Sequence, residues 1–323
     1  MTNIKDFMEV AKEEFRRMIP MELTDNMEIE ETTVTKVNDQ VLHGLAVKIK
    51  GEESAPTIYM DEAYKRFMSG EETLKSLMTQ AVQEYLDAIV HKPDSIIEKF
   101  DFDAIKDNLT VRLVEVKRNI QYLSDVPYML VGNGFAYVCD IKVNTDMEGY
   151  WKTTVTRSLM ENEGYDKKEL FSKAIEGSCK NDPATLRSME ETLFGFDESR
   201  DYFSDDAVID PDEQDQMYIL STADGVFGAA VMYYPEVKEK IAEKLGEGYY
   251  AIPSSLHEFL IVPESAGIDP ADLGRMVYEA NHNVVDAKDV LSDDILHYDK
   301  NTRTLETIPN ELTRGEFDCE RAC

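Results

Sequence analysis

MYILSTADGVFGAAVMYYPEVKEKIAEKLGEGYYAIPSSLHEFLIVPE, residues Met217 to Glu264, decides the fold class, because strand and helix signals follow one another here without a gap. MYILST reads as a strand. GVFGAAVMYY is expected to run on into a helix with Val237, Ile241 and Leu245 spaced four apart, ending at Gly246 and Gly248. YYAIP and HEFLIVP are short apolar runs separated by Pro253, Ser254 and Ser255, and Pro263 closes the second. Downstream, Asp269 and Pro270 form an N-cap with proline at the first helical position, ahead of an apolar stripe of Leu273, Met276, Val277 and Ala280. ILHYD and TLETI finish the block as a hairpin around Lys300 and Asn301.

The same reading extends outward. Ile4, Phe7, Met8, Ala11, Phe15 and Met18 form a helical stripe that stops before Pro20. EIEETTVTKV and VLHGLAVKI pair as a hairpin around Asn38 and Asp39, and PTIYM is a further strand. Ser69 and Glu72 have the spacing of a capping box ahead of a long amphipathic helix from Leu74 to Ile89. After a short helix within 95–108, LTVRLVEV is a strand. YMLV and FAYVCDIKV then flank Gly132-Asn133-Gly134, and TTVT follows. Asp166 with Glu169 caps one helix, and Asp182 with Pro183 is expected to cap another carrying Leu186, Met189 and Leu193.

Four segments carry a resemblance: Leu220–Glu264, VLSDDILHYD, SAPTIYMDEAYKRFMSGE and NIQYLSDVPYMLVGNGFAYVCDI. Together they resemble an uncharacterised domain-of-unknown-function family from Gram-positive, mainly clostridial, bacteria, over a range from about Asn3 to Ile308. A second uncharacterised family of cytosolic proteins in related bacteria is similar in layout. The resemblance implies no known activity and carries over no catalytic residue.

The expected class is α+β, with antiparallel or mixed sheets covered by helices in two or three closely packed units. The boundaries are 1–93 for the N-terminal unit, 94–196 for the middle unit, 197–215 for an acidic loop, 216–308 for the C-terminal unit and 309–323 for a variable tail. At 323 residues, 42% of them hydrophobic, the chain can bury a substantial core. No run approaches the ~18 apolar residues of a membrane helix, and the charged start MTNIKDFMEVAKEEF is no secretory signal. Cys139, Cys179, Cys319 and Cys323 are too scattered for a disulfide framework, which fits a reducing, cytoplasmic setting.

Asp and Glu number 65 against 34 Lys and Arg, a net charge of −31. Direct nucleic-acid binding and attachment to anionic membranes are therefore disfavoured, whereas a protein partner stays open. Nine acids fall among the nineteen residues of DESRDYFSDDAVIDPDEQD, Asp197 to Asp215. Self-repulsion favours an exposed loop there, and the spacing lacks the calcium-loop pattern of alternating acids, glycine and a distal glutamate.

G-x-S-x-G, G-x-x-x-x-G-K-[ST], G-x-G-x-x-G after a strand and H-E-x-x-H are all absent. The remaining place to look is Ser254, Ser255, His257 and Glu258. Phe259 and Ile261 face one way and Leu260 and Val262 the other, so the strand is buried on both faces, and a carboxylate at its mouth needs a partner or a raised pKa. His282 with Asp286, and Asp293, Asp294 with His297, are the alternative polar clusters; neither has metal-site spacing, and no metal or cofactor is expected. The function is expected to be non-catalytic binding or regulation. The alternatives are an enzyme of unrecognised type centred on Glu258 and His257, and an acidic nucleic-acid mimic.

Overall fold

A computed structural model of the chain describes residues 3–21, 26–50, 56–90, 102–144, 150–193, 200–204, 209 and 217–313. The chain divides into two compact units, Met1–Phe100 and Asp101–Cys323. Helices and three antiparallel sheets make it an α+β protein, as its residue patterns predict. None of the helices is long and apolar enough to cross a membrane among the described residues.

In the first unit, α1 (Ile4–Met18) starts where the Asn3 side chain accepts the Asp6 N–H at 2.9 Å. Strands β1 (Met27–Lys36) and β2 (Gln40–Ile49) form a hairpin whose turn places Asn38 and Asp39 at φ 61° and 50°. Left-handed backbone is tolerated by these two residue types, which is why the turn was legible. Strand β3 (Thr57–Tyr59) adds to β2, and helices α2 (Asp61–Met68) and α3 (Leu74–Val90) follow. Phe7, Phe15, Leu45, Val47, Met78 and Tyr85 are the buried centre of the unit. The expected Ser69–Glu72 capping box does not form. Ser69 ends α2, and Thr73 instead accepts the Ser76 N–H at 3.3 Å to open α3.

The second unit contains α4 (Phe102–Ile105), α5 (Tyr122–Asp125), α6 (Arg157–Asn162), α7 (Lys167–Asn181), α8 (Met189–Leu193), α9 (Val237–Leu245) and α10 (Pro270–Asn283). Its four-stranded sheet consists of β4 (Leu109–Glu115), β5 (Tyr128–Gly132), β6 (Phe135–Asn144) and β7 (Tyr150–Thr154), with the long β6 pairing all three others. Its six-stranded sheet runs β13-β12-β10-β11-β9-β8, where β8 is Ala184–Ser188, β9 Tyr218–Thr222, β10 Tyr249–Ser255, β11 Glu258–Pro263, β12 Ile295–Asp299 and β13 Thr304–Ile308. Strand β8, drawn from the segment 94–196, thus lies in one sheet with the strands of 216–308.

Helix α7 packs on β4 through Leu170, Phe171 and Ala174, and the Ser178 Oγ accepts the Val111 N–H at 2.8 Å. Helix α10, capped by Asp269, buries Leu273 and Val277 against Ile252, Val262 and Ile295, worth about 1.5–3 kcal/mol for each side chain withdrawn from water. On β11, Phe259, Ile261 and Val262 are fully buried, and Phe259 meets Phe135 of β6 at 6.4 Å between ring centroids.

Two expected helices differ. Residues 184–188 are strand β8 and only Met189–Leu193 is helical; Asp182 closes α7 and holds Lys142 at 2.8 Å instead of opening a helix. The run GVFGAAVMYY forms a 3-10 turn, Gly228–Tyr233, that stops short of α9. Pro235 forces Tyr234 into extended backbone (φ −66°, ψ 153°) and breaks the helix there.

Each edge of the six-stranded sheet is met by chain from outside it. The Asp201 side chain accepts the Leu186 N–H at 3.0 Å and Tyr202 donates its N–H to the Leu186 carbonyl, while Asn133 donates to the Leu305 carbonyl on β13. Asp201 belongs to the acidic stretch 197–215, the rest of which, apart from 200–204 and Ile209, lies outside the described residues together with its calcium reading. The tail expected from 309 begins docked, with Asn310 buried and donating to the carbonyls of Gly274 and Asp293. Cys319 and Cys323 lie outside the described residues.

Candidate functional site

The four residues singled out in the sequence form the turn of the β10–β11 hairpin. Ser255 pairs with Glu258 in register, and the Ser255 Oγ accepts the His257 N–H at 3.1 Å. Glu258 has a partner in Ser254, whose Oγ donates to Oε1 at 3.4 Å. The three side chains thus find their partners within the turn, Ser254 with Glu258 and Ser255 with the His257 N–H.

His257 points elsewhere. Its Nδ1 accepts the Phe227 N–H at 3.1 Å, its Nε2 stands 3.6 Å from Asp289 Oδ1, and its ring stacks on that of Phe227 at 5.4 Å and 17°. Because Nδ1 is an acceptor, the neutral ring carries its proton on Nε2, toward Asp289. The His257 carbonyl accepts the Ser221 hydroxyl at 2.8 Å, so its backbone binds the turn to β9 and its side chain binds it to the loop that follows.

That loop holds Phe227 at φ 56°, ψ 27°. Left-handed backbone costs a residue with a Cβ about 1–2 kcal/mol, and for a bulky side chain it marks a site where the surroundings dictate the geometry. The surroundings are visible on both sides. Asp224 accepts the Val226 N–H at 3.1 Å and the Thr222 hydroxyl at 2.8 Å. Gly228 fits so tightly that a Cβ there would come within 2.2 Å of Ser221 Oγ.

Two cations meet the Phe227 ring, Arg112 with its Cζ 4.8 Å and Lys152 with its Nζ 5.2 Å from the centroid. Arg112 rises from β4 and is almost fully buried. Its Nη2 donates to Asp140 at 3.0 Å, to Thr154 at 2.9 Å and to the Tyr122 hydroxyl at 3.1 Å, and Thr154 donates to the same Asp140 oxygen. The pairing of Thr110 with Asp140 and of Asp140 with Thr154 places Arg112, Asp140 and Thr154 on one face of the sheet, since alternate residues of a strand share a face. Lys152 lies on that face too, directly across from Lys142. Burial pushes the Lys152 ammonium below its usual range, in spite of the pull of Asp140, Asp182 and Asp224, and neighbouring Lys142 adds to the lowering. Burial likewise raises the Tyr122 hydroxyl. Cys139, at the centre of β6, has its thiol pushed well up by burial and is chemically quiet.

Of the sequence candidates, His257 therefore belongs to this cluster, whereas Ser254, Ser255 and Glu258 stay in the hairpin turn. Arg112, Lys152 and Phe227 were missed, although Arg112 and Asp140 each carried a signal as a charge inside an otherwise apolar strand. The second set of polar candidates disperses. His297 meets Glu264 at 2.7 Å, His282 turns back to the Tyr278 carbonyl, and Asp293 and Asp294 pair with Arg118 and Lys117. No group of three or more His, Cys, Asp or Glu side chains suited to a metal ion occurs among the described residues.

Fold and cluster together define the class: an α+β protein of two units with a mixed-charge aromatic cluster beside the edge of a four-stranded sheet. The chain belongs to the family of unknown function DUF5688, whose pattern matches residues 4–300. No curated protein and no solved structure matches it.

Proposed function

We propose that the chain is a cytoplasmic, non-catalytic binding protein that takes a small anionic ligand, a carboxylate or a phosphate, on the ledge formed by Phe227, Arg112 and Lys152. The observation that carries this reading is the meeting of two cations on the ring of a residue held in left-handed backbone. Strain of this kind is retained where a surface must hold one shape. An incoming anion would stabilise the Lys152 ammonium that burial disfavours. Phe227 and Lys152 are half-buried and Asp224 is exposed, so the ledge is reachable from solvent.

The test is a thermal-shift titration with sodium phosphate and with sodium citrate at constant ionic strength, on the wild type and on Lys152→Met. A ligand at a hundred times its Kd stabilises by about 2.7 kcal/mol. The expected result is a saturable rise in Tm with one of the two anions and at least a tenfold weaker response in the variant. A wild type indifferent to both anions, or a variant responding equally, overturns the reading.

A further inference from the structure

We propose that His257 is a pH-sensitive latch on the ledge: the neutral imidazole holds the Phe227 loop in its left-handed shape, and the protonated ring releases it. As a control of anion binding this rests on the ledge reading, whereas the motion of the loop needs no ligand. The Phe227 amide is a backbone N–H and can only donate, so the Nδ1 that it meets at 3.1 Å presents a lone pair. An imidazolium carries protons on both nitrogens and has no lone pair to offer. Protonation therefore sets Nδ1–H against the Phe227 N–H and removes the bond at the residue whose backbone, φ 56° and ψ 27°, is the costly one.

The surroundings give the protonated ring a partner and the loop room to move. Asp289 Oδ1 stands 3.6 Å from Nε2, and the Asp289 backbone is held beside the turn because its carbonyl accepts the Leu256 N–H at 2.8 Å. Asp289 is thus placed to pair with an imidazolium. Arg112 from β4 and Lys152 from β7 meet the Phe227 ring on which His257 stacks, and both oppose a positive charge there. Asp224, in the loop itself, accepts the Val226 N–H, and Glu258, next on β11, is turned to Ser254. Gly225, two residues before Phe227, has nothing within 4 Å of its virtual Cβ, whereas Gly228 directly after it is packed tightly. The His257 side chain is half-buried, so protons reach it from solvent, and histidine ordinarily changes charge between about pH 5 and 8.

The test is hydrogen exchange at the Phe227 amide, followed by NMR on the intact chain carrying isotope-labelled phenylalanine, in buffer free of phosphate and citrate. Rates are divided by the intrinsic exchange rate at each pH to give protection factors. The released state binds the extra proton, so the latch is complete at high pH and is lost as pH falls. With no proton on Nδ1 in the latched ring and a free imidazole titrating at about 6.5, protection at Phe227 is expected to fall about thirtyfold from pH 7.5 to pH 5.0. The amide of Phe259, fully buried on β11, should change by less than about threefold. His257→Asn keeps an acceptor oxygen close to the place of Nδ1 but takes up no proton, and should abolish the pH dependence at Phe227. Wild-type protection at Phe227 that changes by less than about threefold, or an equal fall in the folded His257→Asn variant, overturns the latch. A pH-dependent Phe227 in a protein indifferent to anions would remove only the ledge reading, and anion binding with a pH-independent Phe227 would remove only the latch.

Discussion

Gly228→Ala tests whether the loop that presents Phe227 is as tightly determined as its contacts require. The added Cβ would lie 2.6 Å from the Thr222 nitrogen and 2.7 Å from the His257 carbonyl oxygen, both backbone atoms, as well as 2.2 Å from Ser221 Oγ. To reach the 3.4 Å at which ordinary contact begins, each backbone atom would have to recede by roughly 0.7 Å or more, and both belong to neighbouring parts of one sheet. Overpacking a closely fitted site costs about 1–3 kcal/mol. Displacing the Ser221 hydroxyl from the His257 carbonyl, 2.8 Å away, adds about 1 kcal/mol for a lost hydrogen bond. The expected total is about 2–4 kcal/mol. Gly134→Ala is the control, since Gly134 has φ +79° with nothing within 4 Å of its virtual Cβ, leaving only left-handed strain of about 1–2 kcal/mol. Urea unfolding followed by circular dichroism measures both variants, and a slope of about 2–3 kcal/mol/M turns the Gly228→Ala cost into a midpoint shift near 1 M. A Gly228→Ala midpoint equal to or above that of Gly134→Ala would refute the steric argument.

Two further outcomes follow from buried polar groups. Burial raises the Glu115 carboxyl even though Lys117, Ser292 and Arg118 pull it down. The native state therefore holds more protons than the unfolded chain between 4.5 and the raised value, so this group's contribution to stability falls as pH rises through that window. Against Glu115→Gln, which does not titrate, the wild type should have its larger advantage below pH 4.5 and lose part of it by pH 7, as urea midpoints at both pH values will show; a gap that widens with pH contradicts the sign. Ser178→Ala leaves the buried Val111 N–H without its acceptor and should cost about 1–3 kcal/mol, with faster hydrogen exchange at Val111; unchanged exchange would mean the bond contributes nothing.

The fold was legible where local chemistry and burial agree. Asp166 and Asp269 cap helices because their carboxylates accept the N–H groups of the first turn, and the Asn38–Asp39 turn follows from two residues that tolerate left-handed backbone. It misled where a period of three to four arose by coincidence. Leu186, Met189 and Leu193 looked like a stripe, yet Leu186 pairs with Leu220 on β9, a partner 34 positions away that no local window contains. The cluster around Phe227 was hidden for a related reason. His257 was found from its chemistry, but the direction of its ring depends on a hairpin turn meeting a distant loop. Arg112 and Asp140 come together through a sheet register set across 28 residues. A left-handed Phe227 cannot be read from a residue type that avoids that conformation.

The buried charges also separate into two kinds, which is why the ledge and not the larger network is taken as the site. Glu115 accepts the Ser292 hydroxyl at 2.5 Å and pairs with Lys117 and Arg118; Arg118 reaches Asp293 and Lys117 reaches Asp294. Asn281 and Asn310 close the same network by bonding Asp293 and Asp294. Here charges of both signs answer one another and backbone strain is absent, so the arrangement joins β4 to the segment ahead of β12 and asks for no ligand. At the ledge Asp140 answers Arg112 through Nη2, and beside that pair stand a half-exposed lysine whose charge burial disfavours and an aromatic residue in an unfavourable backbone. Groups held in costly states at a reachable surface have their rationale in what they meet there.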